Sequence, residues 1–219
     1  DLPYELNEIF KYDDIYYISD LDHKLQAKCK EEYTDDDKNY IIKAGDHIAY
    51  RFEVIEVLGS GTYGTVVKVY DHKRRDFGAL KIIKDEDGYI GVIQDEIKIL
   101  KDIQAHSGHR YNIVKYQGHF VFRKHICIYF NLMDCSLFDV LKTRSFRGLR
   151  TEQIRGVAIQ LLNGLKFLKD RKIIHGDLTP GNILLSGKDN RVAIADFGLS
   201  CYEDDKDLWM YVQTLAYRA

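Results

Sequence analysis

Between positions 52 and 84 the chain alternates β-branched or aromatic residues with polar ones, in runs too short for helices. Phe52–Gly59, Thr65–Asp71 and Phe77–Lys84 are divided by turn residues, which predicts an antiparallel meander. The period then changes. Ile93, Ile97 and Leu100 recur at helical spacing, with Val92, Ile99 and Ile103 beside them, and predict a helix over 90–104. Two more strands are expected near Tyr116–Phe122 and His125–Asn131. A further helix opens at Thr151, read as its N-cap, with a broad apolar stripe of Ile154, Val157, Ala158, Leu161, Leu162, Leu165 and Leu168. Short strands follow at Ile183–Leu185 and Val192–Ala195. Residues 1–51 hold only brief apolar pieces, Ile15-Tyr16-Tyr17-Ile18 and Tyr40-Ile41-Ile42, which read as strands and turns laid onto a neighbour. A β-rich half joined to a helical half predicts a bilobal α+β protein with a cleft between its lobes.

Composition narrows the function classes. With 219 residues, 45% of them hydrophobic, the chain is long enough for one large core or two small ones. A formal charge of −2 gives no reason to expect nucleic acid or an anionic membrane as partner. The acidic runs Asp35-Asp36-Asp37 and Glu203-Asp204-Asp205 are short and read as solvated loops. The four cysteines, Cys29, Cys127, Cys135 and Cys201, lack metal-binding spacing, so a reducing compartment is expected. No apolar stretch approaches the ~18–20 residues that span a bilayer.

The candidate chemistry starts at Gly59-Ser60-Gly61-Thr62-Tyr63-Gly64-Thr65-Val66. Glycines let backbone N–H groups come close to phosphate oxygens; a plain hairpin turn reads from the same residues. The β-branched residues that follow place this loop between two strands, unlike the strand-to-helix loop of a dinucleotide fold. In Gly78-Ala79-Leu80-Lys81-Ile82-Ile83, Lys81 is a charge within an apolar strand, costly unless paired. Glu96 shares a helix face with Val92, Ile99 and Ile103, so a Lys81–Glu96 ion pair is one reading and two solvated charges the other. The most informative run is His175-Gly176-Asp177-Leu178-Thr179-Pro180-Gly181-Asn182, followed by Asp196-Phe197-Gly198. A carboxylate can orient an acceptor hydroxyl and take its proton. A carboxamide five residues on and a second carboxylate beyond a hairpin can hold Mg²⁺ through oxygen.

In this order the motifs resemble eukaryotic protein kinases over residues 52–219. Closer features resemble the dual-specificity tyrosine-regulated kinases (DYRK), in their class II. These are Leu199-Ser200-Cys201-Tyr202, the stretch Tyr211–Ala219, the segments 35–42 and 46–54, and residues 3–18 with Tyr4-Glu5 and Ile15-Tyr16-Tyr17. The resemblance implies a kinase catalytic domain over 52–219, preceded by a family segment over 1–51 that packs on the N-lobe. Asp177 would be the catalytic base, Asn182 and Asp196 the Mg²⁺ ligands, and Lys81 the phosphate cation with Glu96 behind it. The loop residues Gly59, Ser60, Gly61, Thr62, Tyr63 and Gly64 would cover ATP. Val66, Ala79 and Leu184 would sandwich the base, with Phe130 as gatekeeper and Asn131-Leu132-Met133 as hinge. Tyr211 would be autophosphorylated, and Ser and Thr of protein substrates phosphorylated. The implied cofactors are ATP and Mg²⁺, and the implied state is a monomer in the cytoplasm or nucleus, without nucleic acid or membrane.

Three departures bear on activity. Thr179 stands where Ser/Thr kinases carry a Lys against the γ-phosphate, which removes a cation where charge develops. Gly176 replaces the usual Arg, as it often does in the resembled family. Leu215 replaces an Arg that pairs with phosphotyrosine in relatives, leaving Arg218 for that role, and Trp209 fills a second Tyr position. The chain stops at Ala219, before the Pro-Glu that closes the activation segment, so an incomplete helical lobe is expected. An active kinase is the primary reading; a pseudokinase-like nucleotide-binding scaffold is the alternative, favoured by Thr179.

Overall fold

Strands β2 (Phe52–Gly61), β3 (Gly64–Asp71) and β4 (Asp76–Ile83) pair antiparallel in chain order, as their alternation predicts. With β1 (His47–Ile48), β5 (Tyr116–Phe122) and β6 (His125–Asn131) they complete a six-stranded sheet in the order β1-β2-β3-β4-β6-β5. The computed structural model describes residues 3–25, 27–205 and 214–217. They fall into two compact units, residues 1–89 with 117–132 and residues 90–116 with 133–219.

In the first unit one sheet face carries Val67, Val69, Leu80 and Ile82, all buried with Phe52, Phe122 and Tyr129. Residues from the N-terminal 51 complete that core: Tyr33, Tyr40, Ile48 and Tyr50 are buried in the same cluster. The early segment is not the set of strands expected. Its first element is a helix, α1 (Pro3–Ile9), and Ile15–Ile18 runs as irregular backbone with Tyr16 and Tyr17 N–H both donating to the Tyr50 carbonyl (2.8 and 3.0 Å). Near Tyr40 only an isolated bridge to Thr34 forms. The helix escapes a periodicity reading because it turns charges inward. Glu5 and Glu8 are both buried, and Arg123, from the turn between β5 and β6, meets them with its side chain fully enclosed. Arg123 Nη2 lies 3.1 Å from Glu5 and 2.9 Å from Glu8, and Lys24 reaches the other Glu5 oxygen at 2.6 Å. The guanidinium also stacks 3.5 Å above the Tyr33 ring centroid.

The second unit opens with α2 (Ile90–Ala105), whose Ile93, Ile97, Ile99, Leu100 and Ile103 are buried at the predicted spacing. It continues through β7 (Cys135–Ser136), α3 (Leu137–Thr143), α4 (Thr151–Asp170), β8 (Ile173–Ile174), β9 (Ile183–Ser186), β10 (Arg191–Ile194) and β11 (Cys201–Tyr202). Strands β10-β9-β7 form one small sheet and β11-β8 another. Helix α4 is capped one residue earlier than expected. Arg150 is the N-cap, its N–H donating to the Gln153 side chain at 3.1 Å, while Thr151 is already helical. Its apolar stripe is buried only toward the C-terminal end, at Phe167 and Leu168; Ile154 and Leu162 are exposed, since no described residue covers them. The acidic runs at 35–37 and 203–205 are exposed, as read.

Candidate active site

The candidate residues divide between the two units. In the first, the glycine loop is the β2–β3 hairpin itself, with Gly61 opposite Gly64, Ser60 opposite Thr65 and Gly59 opposite Val66. Thr62 and Tyr63 form its tip, and the Tyr63 ring meets Tyr89 edge-on at 5.1 Å. The glycines have different reasons to be there. Gly64 has φ +146°, and a Cβ on it would fall 2.0 Å from the Ile82 carbonyl oxygen, so the sheet itself requires glycine. Gly59 and Gly61 have nothing within 4 Å of an added Cβ, so the fold places no such demand on them. Next to the loop, Val66 pairs with Lys81, and Ala79 pairs with Phe130 on β6. Val66, Ala79, Lys81 and Phe130 are half-buried, on strand positions that alternate with the core residues Val67 and Leu80. Asn131 ends β6, its side-chain amide donating to the Leu132 carbonyl at 3.3 Å.

In the second unit the catalytic-loop sequence folds around Asp177. Asn182 Nδ2 donates to the Asp177 carbonyl (2.8 Å) and to its Oδ2 (3.0 Å), which leaves the Asn182 Oδ1 as an oxygen donor. The Asn182 carbonyl in turn accepts the Ala195 N–H at 2.9 Å, tying the loop to the residue before Asp196. Asp196 is exposed and adopts φ +60°, a sparsely populated backbone region for a non-glycine residue, and its Oδ1 accepts the Gly198 N–H at 3.4 Å. Two oxygen-bearing side chains suit Mg²⁺, which takes few protein ligands and completes its shell with water and phosphate oxygens. Leu184 lies half-buried on β9, paired with Ala193 and Ser136, and Met133 is half-buried before β7. Glu96 is buried on α2.

His175 holds this loop together. Its Nε2–H donates to the Ala195 carbonyl (2.9 Å), its Nδ1 accepts the Asp177 N–H (3.3 Å), and its ring meets Phe197 at 5.0 Å. Burial holds its pKa below the ordinary imidazole value, although the Ala195 carbonyl favours the charged form. Gly176, the departure from Arg, has a local cause. Its φ is +78°, and a Cβ would approach the Leu199 carbonyl oxygen to 2.2 Å.

One contact at the site was not anticipated from sequence. The Thr214 hydroxyl and N–H both donate to Asp177 Oδ1, at 2.6 and 3.0 Å. Thr214 lies 37 residues from Asp177, a separation without periodicity, and its only signal is its place in the stretch that resembles an activation segment. Trp209, Tyr211 and Arg218 lie outside the described residues.

Comparison with known proteins agrees with this geometry. A family model described as the protein kinase domain matches residues 52–219. The putative dual specificity tyrosine-phosphorylation-regulated kinase 3 homolog of Drosophila melanogaster is 36% identical over 222 residues, 99% of this chain and 27% of the relative. Dual specificity tyrosine-phosphorylation-regulated kinase 4 of Homo sapiens is 36% identical over 223 residues, 99% of this chain and 43% of its own length. A serine/threonine-protein kinase of Schizosaccharomyces pombe, ppk5, is 37% identical over 225 residues, again 99% of this chain and 27% of the relative. The chain therefore spans 27% to 43% of the length of these relatives, and the likeness extends across residues 1–51, ahead of the matched kinase domain. The DYRK resemblance read from the sequence is borne out by these relatives. With a domain model matched over residues 52–219 and relatives 36–37% identical across 99% of the chain, the chain belongs to the protein kinase family.

Proposed function

We propose that the protein transfers the γ-phosphoryl group of Mg²⁺–ATP to Ser and Thr hydroxyls of protein substrates, and to its own Tyr211. The observation that carries this reading is the fixed Asp177 carboxylate, with one oxygen held by Asn182 and the other by Thr214. A carboxylate with so little orientational freedom suits the positioning of an acceptor hydroxyl and uptake of its proton. Thr214 occupies that oxygen here and would have to share it with the acceptor. Asn182 and Asp196 would hold Mg²⁺, which when bound neutralises phosphate charge. Lys81 would pair with phosphate oxygens and with Glu96. Gly59 and Gly61, glycines the fold does not need, support close approach of the loop backbone to phosphates. Val66, Ala79 and Leu184 would contact adenine, bordered by Phe130 and the segment Asn131-Leu132-Met133. Residues 1–51 would serve as a family-specific segment bracing the sheet of a catalytic domain that begins at Phe52, as in class II relatives. The setting would be a reducing one, cytoplasm or nucleus, since all four cysteines are free, and the active form a monomer.

Thr179 supports a second reading, a nucleotide-binding scaffold. No cation stands at that position, and its loss from a phosphoryl-transfer site would slow the reaction by orders of magnitude. Self-phosphorylation separates the two. Tyr211 lies fifteen residues after Asp196, and its phosphate would add roughly −1.5 to −2 charge for Arg218 to pair with. Mass spectrometry of the full-length protein expressed in bacteria should find phosphate on Tyr211 in the wild type and none in Asp177→Asn. An unmodified Tyr211 in a wild type that phosphorylates peptides would remove the autophosphorylation claim. A wild type lacking both activities would favour the scaffold.

A further inference from the structure

The two arms of the glycine loop are held unequally. Its returning arm is locked to β4: Gly64 pairs with Ile83, and the Tyr63 carbonyl accepts the Lys84 N–H at 3.0 Å. Its leading arm is looser. The β2–β3 register slips between Val57 and Gly59, and Gly59 and Gly61 are exposed with nothing within 4 Å of an added Cβ. The freedom of those glycines has to be lost when the loop closes on a ligand.

The linker after β4 supplies a second hold on the loop. It passes through one turn of 3₁₀ helix, Asp87–Tyr89, in which the Tyr89 N–H donates to the Glu86 carbonyl at 3.0 Å. The linker is also tied to the N-terminal segment, where the Lys38 carbonyl accepts the Asp85 N–H at 2.9 Å. Lys38 lies in a turn closed by Asp35, whose carbonyl accepts the Lys38 N–H at 3.0 Å and whose Oδ1 accepts the Asn39 N–H at 2.7 Å. Consecutive residues, Lys84 and Asp85, thus grip the glycine loop on one side and the N-terminal segment on the other. From this anchored linker the Tyr89 ring meets Tyr63 edge-on, with centroids 5.1 Å apart and planes at 75°. Both residues are half-buried, and loop, linker and turn all belong to the first unit.

We propose that Tyr89 is a positioning residue for nucleotide binding. By holding the Tyr63 ring it orders the loop tip in advance, so that ATP meets a loop with less freedom left to lose. This rests on the assignment of the glycine loop to ATP made above. Calorimetry on the full-length protein tests it, comparing ATP dissociation constants of wild type, Tyr89→Ala, Tyr89→Leu, Tyr89→Phe, Tyr63→Ala and the double variant Tyr63→Ala/Tyr89→Ala. The KM of a Ser/Thr peptide is measured alongside. Tyr89→Ala should weaken ATP binding by about two- to tenfold, the worth of one aromatic pair, and leave the peptide KM unchanged. Tyr89→Leu, which keeps apolar bulk without a ring edge, should behave in the same way, whereas Tyr89→Phe keeps the ring and should match wild type. Once Tyr63 is alanine, removing Tyr89 should cost no further affinity, because the two act as one pair. Unchanged ATP affinity in both Tyr89→Ala and Tyr89→Leu, an equal loss in Tyr89→Phe, additive losses in the double variant, or a matching rise in peptide KM would overturn the proposal while leaving ATP binding itself intact. A wild type that binds no ATP would overturn it together with the assignment beneath it.

Discussion

His175 and His125 are buried imidazoles that the fold keeps neutral, and each accounts for a local connection. His175 bridges Asp177 and Ala195, while His125 Nδ1 donates to the Ile83 carbonyl at 2.7 Å and its Nε2 meets the Thr34 hydroxyl at 2.9 Å. Burial is the main cause of both depressed pKa values. A histidine held neutral in the folded state but free to protonate when unfolded contributes stability above its unfolded pKa of about 6.5, and that contribution declines as pH falls below it. Imidazole resonances followed by NMR should show His125 and His175 both titrating below the ordinary imidazole value of about 6.5; titration of either at or above that value would contradict burial as the cause. The glycines give a paired test of the same kind. Gly64→Ala should cost about 2 kcal/mol or more, because left-handed backbone and a clash with Ile82 add. Gly59→Ala should leave stability within about 0.5 kcal/mol of wild type and weaken ATP binding. Denaturant melts and nucleotide titration of both variants measure this, and equal destabilisation would remove the distinction between a fold glycine and a phosphate glycine.

Helix α1 is joined to the sheet by charge rather than by an apolar stripe. Arg123 faces Glu5 and Glu8 without solvent, and removing one partner of such a group leaves the others buried and uncompensated, which costs about 3–5 kcal/mol. Arg123→Met should therefore lower stability by that amount. Arg123→Met with Glu5→Gln and Glu8→Gln should recover much of it, whereas a loss below about 1 kcal/mol in the single variant would show that the cluster does not hold α1. The same helix marks the limit of sequence reading here. Helix α2 and strands β3 and β4 were predicted within a residue or two, because each buries a periodic apolar face. In α1 the buried positions are glutamates, and their partner Arg123 stands 115 residues from Glu8. Local pattern carries no signal for such a pairing. The candidate loop from His175 to Asn182 is readable for a different reason: the residue types that phosphoryl transfer would need lie close together in it. Thr214 and the φ of Gly176 depend on where distant backbone passes, so neither could be read from spacing.

Across the whole molecule the residues assigned to one reaction are split between a sheet unit, with Lys81 and the glycine loop, and a helical unit, with Asp177, Asn182 and Asp196. On the acceptor side of that division, Asp177 is held at both carboxylate oxygens, by Asn182 and by Thr214. In the proposed reaction Asp177 would act on the hydroxyl and not on the nucleotide, so binding and transfer should respond differently to its loss. The most direct measurement compares full-length wild type with Asp177→Asn for phosphorylation of a Ser/Thr peptide from Mg²⁺–ATP, alongside the rise in melting temperature with ATP concentration. The expected result is peptide phosphorylation in the wild type, loss of it by at least about a thousandfold in Asp177→Asn, and a melting-temperature rise that is the same in both. Equal phosphorylation by the two proteins, or none by either while both bind ATP, would contradict it.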